Sequence, residues 1–145
     1  MIIQQLNRTD AEKVWGAFTN GAGATITKGY GVHMAMLPAS IDGNLATLSD
    51  AANQRTFMGV ADDDVADNAV GLYQCYGYAA SVFFFADATS VSLVAGHAAG
   101  PGVASSLGVA GKGVSFAIGP VVILESVGAV IRSAGGYVQG FVRAM

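Results

Sequence analysis

A chain of 145 residues and 14.7 kDa that is 52% apolar and only 12% charged hides at most part of its apolar surface within itself. A folded protein of this mass leaves roughly 6,900 Å² exposed and buries about 68% of its unfolded area. The formal charge of −3 and pI near 5.0 exclude nucleic acid as an expected partner, since there is no basic field to neutralise phosphates; the single Cys75 excludes an internal disulfide and a cysteine-rich zinc site.

The first eight residues, Met1-Ile2-Ile3-Gln4-Gln5-Leu6-Asn7-Arg8, read as an N-terminal arm. They lack the charged start, unbroken apolar segment and small-residue cleavage site of a secretory signal, so a protein made in the cytoplasm is expected. Met1, Ile2, Ile3 and Leu6 are candidate interface residues, because an extended apolar segment completes the open edge of a neighbouring sheet; a disordered terminus is the other reading. Next, Thr9-Asp10-Ala11-Glu12 is a capping-box pattern, in which the hydroxyl and the carboxylate each satisfy an orphan backbone donor. Ala11, Val14, Trp15 and Phe18 follow at helical spacing and Asn20-Gly21 supplies a stop, which predicts a helix over Asp10–Thr19. Trp15 and Phe18 then pack onto the chain's own core or onto a partner.

Beyond Gly23 the pattern changes to short β-branched and aromatic runs bounded by Gly, Asp, Asn or Pro. Strands are predicted at 24–27, 32–36, 45–48, 57–61, 71–78, 81–85, 91–94, 114–118, 121–124 and 137–143, with a turn at Lys28-Gly29-Tyr30-Gly31. Residues 125–133 fit either a short helix or a loop. The longest greasy run, residues 116–131, is broken by Gly119, Pro120, Glu125 and Gly128 and falls short of the ~20 apolar residues of a spanning helix, so no membrane segment is expected. No linker or charge block divides the chain, and residues 9–145 are expected to form one mainly β domain, a compact barrel or sandwich with the single N-terminal helix.

The side chains offer little chemistry. His33 and His97 stand far apart, in no metal-ligand spacing. Cys75 lies between aromatics with no basic neighbour to lower its pKa, which describes a packed thiol. No Gly-x-Ser-x-Gly elbow occurs. Asp62, Asp63, Asp64 and Asp67, with Asn68, bring oxygens close enough together for a hard cation such as calcium. The same residues also suit a solvated turn that caps backbone amides, and their spacing is not that of an EF-hand. No catalytic residue, metal or cofactor is expected, and the protein is not expected to be an enzyme.

Charge is also unevenly distributed. From Asn68 to Gly111 the only formal charge is Asp87, and after Ala88 there are only Lys112, Glu125, Arg132 and Arg143. So apolar an exterior is expected to be covered by other protein. Phe83-Phe84-Phe85 adds to this expectation, since consecutive strand residues face opposite sides and one side is then expected to meet a neighbour.

The succession 24–32 (Ala-Thr-Ile-Thr-Lys-Gly-Tyr-Gly-Val), 57–61 (Phe-Met-Gly-Val-Ala), 71–78 (Gly-Leu-Tyr-Gln-Cys-Tyr-Gly-Tyr) and a closing Gly140-Phe141-Val142-Arg143-Ala144-Met145 resembles the capsid decoration, or cement, proteins of tailed bacteriophages. The resemblance runs in order through most of the chain, on short patterns of glycine and apolar residues. It implies a β-rich virion protein that binds the outside of the mature head as a homo-oligomer, a trimer above all, with the major capsid protein as partner and no catalytic residues. Another virion component, such as a head-fibre base, tail or receptor-binding module, and a cellular β-barrel for a small apolar ligand are the other readings.

Overall fold

The computed structural model of the chain describes residues 12–35, 44–48, 56–84, 95–96, 98–101, 107–108, 120–125 and 135–144. Within them the short β-branched and aromatic runs pair as strands: β1 (Val14–Asn20), β2 (Gly31–Met34), β3 (Leu45–Leu48), β4 (Phe57–Ala61), β5 (Val70–Phe84), β6 (Ala98–Pro101), β7 (Leu107–Gly108), β8 (Val121–Ile123) and β9 (Gly136–Arg143). The expected mainly β fold is what forms, and its centre is a closed five-strand barrel. Around that barrel β1 pairs with β3, β3 with β2, β2 with β4, β4 with β5, and β5 returns to β1. Every pairing is antiparallel except β1 with β3, where Thr19 and Asn20 run parallel to Leu45 and Ala46. Closure leaves no open edge on these strands.

A second circuit of pairings uses the other end of β5. It passes from β5 to β9, β8, β6 and β7 and comes back to β5 through the parallel pair Phe84 and Leu107. The 15-residue β5 is therefore shared by both circuits, where the sequence had suggested two strands parted at Ala79-Ala80. Bulges let one strand serve two curved sheets. Between the Val14–Tyr76 and Trp15–Gln74 pairs β5 holds Cys75 as an extra residue, and between the Ala79–Gly140 and Val82–Val138 pairs it holds another. Such insertions bend a strand and raise its twist.

Two cores result. Ile26, Val32, Ala46, Met58, Ala61, Val65 and Tyr73 fill the barrel, while Phe57, Val60, Ala79, Val82, Phe84, Val121, Ile123, Val138 and Val142 pack together beside it. β4 lies between them and is buried along its whole length. Simple alternation would send Phe57 and Ala61 to one side. A register shift opposite Val32–His33 makes Met58 an extra residue, and Gly59 follows it at φ 154°. The phase reverses there, so that Phe57 and Val60 enter one core and Met58 and Ala61 the other. A Cβ at residue 59 would strike the Gln74 carbonyl of β5.

Two expectations are corrected. The helix over Asp10–Thr19 is not what residues 14–19 form: they are strand β1, and residues 10 and 11 lie outside the described residues. The physical reason is that Gly16 and Phe18 face Tyr73 and the barrel interior while Trp15 and Ala17 face out, a period of two that closes the barrel against β5. Tertiary pairing outweighs a helical signal of this length. Residues 24–27 form no strand either; only Ile26 bridges to Val65, with mutual backbone hydrogen bonds of 2.9 Å. The strands expected at 91–94 and 114–118 lie outside the described residues.

Candidate interaction surface

Cross-strand neighbours on an antiparallel ladder share a face. On the outer face of β1 and β5 the opposed pairs are Trp15 with Gln74, Ala17 with Leu72, and Thr19 with Val70. Gln74 is buried here because its amide turns back along β5, donating to the carbonyls of Tyr76 (3.2 Å) and Tyr78 (2.9 Å) around the bulge at Cys75. The remaining side chains look outward. Trp15 is 44%, Leu72 55% and Val70 70% exposed, and Ala17 is exposed between them. Together they make an apolar strip along Trp15 to Thr19 of β1, about 13 Å at the usual strand rise.

Charged side chains flank this strip. Lys13 precedes β1, and its ammonium stands 5.7 Å from the centre of the Tyr78 ring. Glu12, also exposed, stands beside it. On the loop that follows β4 lie Asp62, Asp63, Asp64 and Asp67, all exposed, with Lys28 among them. The amide of Asp62 donates to the carbonyl of Leu72, 3.1 Å away, which fixes the acidic loop directly beside the strip.

The acidic loop has a structural occupation. Asp64 accepts from the Lys28 amide (2.8 Å) and Asp67 from the Gly23 amide (2.9 Å), while Asn68 donates to the second oxygen of Asp67 (2.9 Å). These carboxylates thus tie residues 62–68 to the loop 21–30 across the mouth of the barrel, the capping use of the cluster. Among the described residues no group of three or more His, Cys, Asp and Glu side chains is arranged to hold a metal ion. Asn20 completes the tie from beneath: its amide donates to the carbonyls of Ala24 and Val65, and its oxygen accepts from the Ala22 amide, each at 2.8 Å.

A second set of aromatics surrounds Phe83. Its ring lies 5.0 Å from Tyr30 and 5.3 Å from Tyr137, the latter edge to face. Tyr137 is 47% exposed, and burial, helped by Tyr30 and Asp64, pushes its hydroxyl above the usual tyrosine range. Phe83, a predicted interface residue, is thus half-buried in a ring cluster of its own protomer. Phe84 is a correction: it is fully buried in the core with Val82 and Val138, because the bulge in β5 turns it inward, and no neighbour reaches it. Phe85, Met1, Ile2, Ile3 and Leu6 lie outside the described residues, as does His97.

The remaining reactive groups, His33 and Cys75, lie within strands β2 and β5. His33 is buried in β2 between Thr47 and Phe57 of the flanking strands. The Cys75 thiol points to the Tyr73 carbonyl at 3.4 Å, and burial pushes its pKa up against a smaller opposing effect of the Gly16 backbone. A thiol held protonated is a poor nucleophile.

The strip of Trp15, Leu72 and Val70 was not legible as a site in the sequence. Its signal is the alternation Trp15-x-Ala17-x-Thr19 matched by Val70-x-Leu72, and a helical spacing through the same residues conceals it. No protein-family model matches the chain, and neither does any curated protein.

Proposed function

We propose that this chain is a structural virion protein that binds the outer surface of a tailed-phage capsid as a homo-oligomer and stabilises the mature head. The observation that supports this reading is the exposed apolar strip on β1 and β5, in a chain with only 12% charged residues. Permanent interfaces of this kind bury roughly 2,000 Å² or more and are more apolar than transient ones. The mechanism is mechanical. Each copy bound to assembled capsid subunits, and to other copies, adds binding free energy that dissociated subunits do not receive, and attachment at several lattice points multiplies weak contacts. The resemblance to cement proteins supplies the major capsid protein as the partner and a trimer as the expected unit.

Sedimentation with purified heads that lack the protein tests this. Saturable co-sedimentation at many copies per head, with a rise in the temperature at which the heads come apart, is the expected result. Binding confined to a vertex or tail would replace it with another virion role, and a chain that leaves heads unaltered would end the reading.

A further inference from the structure

We draw no further inference here: the strongest candidate, the exposed apolar strip of Trp15, Leu72 and Val70 on the outer face of β1 and β5, carries nothing beyond the reading above because nothing in the structure shows what covers it.

Discussion

Asn20 illustrates how one polar residue ties two loops together over the end of the barrel core. It is fully buried, yet its side chain makes three hydrogen bonds and its backbone two more, to Ala69 and Asn68 at 2.8 Å. Asn20→Ala strands two carbonyls and an amide, and a loss of about 3 kcal/mol in urea unfolding is expected. Tyr73 is the opposite case. Its ring packs against Phe18 in the barrel, but its buried hydroxyl has no hydrogen-bond partner among the described residues. Tyr73→Phe is therefore expected to stabilise by about 1 kcal/mol.

The same hydroxyl gives an alkaline dependence. Burial raises the Tyr73 pKa above the ordinary value of 10.0, so in rising pH the unfolded chain loses this proton before the folded one does. Stability is then unaffected below about pH 10 and falls as pH climbs above it. Urea midpoints compared at about pH 8 and about pH 10.5 should show that fall in the wild type and a smaller one in Tyr73→Phe; Tyr137, half in solvent, adds less.

At the scale of elements, the strands depend on places where the chain departs from regular pairing. Gly77 has φ 104°, and a Cβ there would strike the Glu12 carbonyl where the start of β1 crosses β5. Gly77→Ala is expected to cost about 2 to 3 kcal/mol, since both the backbone region and the space reject a side chain; thermal unfolding checks it. A variant as stable as the wild type would mean that β1 does not lie there. This crossing also explains why the capping box misleads. Thr9-Asp10-Ala11-Glu12 is a local signal of a few residues, whereas β1 gains a ladder of hydrogen bonds to β5 and inserts Phe18 in the barrel. Strands β3 and β4, by contrast, fall on the residues read from the sequence, 45–48 and 57–61, because turn-forming neighbours and β-branched or aromatic content act locally.

The molecule as a whole is joined through β4 and β5, which belong to both cores. One cooperative transition follows from that sharing, with no separate melting of either circuit. Trp15 reports on the barrel side and Phe84 lies in the other core, so the pair makes a test. Phe84→Ala is expected to lower stability by about 3 to 5 kcal/mol, and to shift the Trp15 fluorescence midpoint and the circular dichroism midpoint together. Separate midpoints would show two independent units.

By itself the amino-acid sequence determined the fold class, the place of Cys75 within a strand, the turn at Lys28-Gly29 and the chain's surplus of apolar side chains, because propensity, turn chemistry and composition are properties of neighbouring residues. Only the tertiary structure decided which side chains that surplus leaves outside. Whether Phe84 faces inward and Trp15 outward depends on bulges at Cys75 and beyond Ala79, and each inserted residue reverses the side of every side chain that follows. That phase is set where distant strands meet, and no window along the chain contains it.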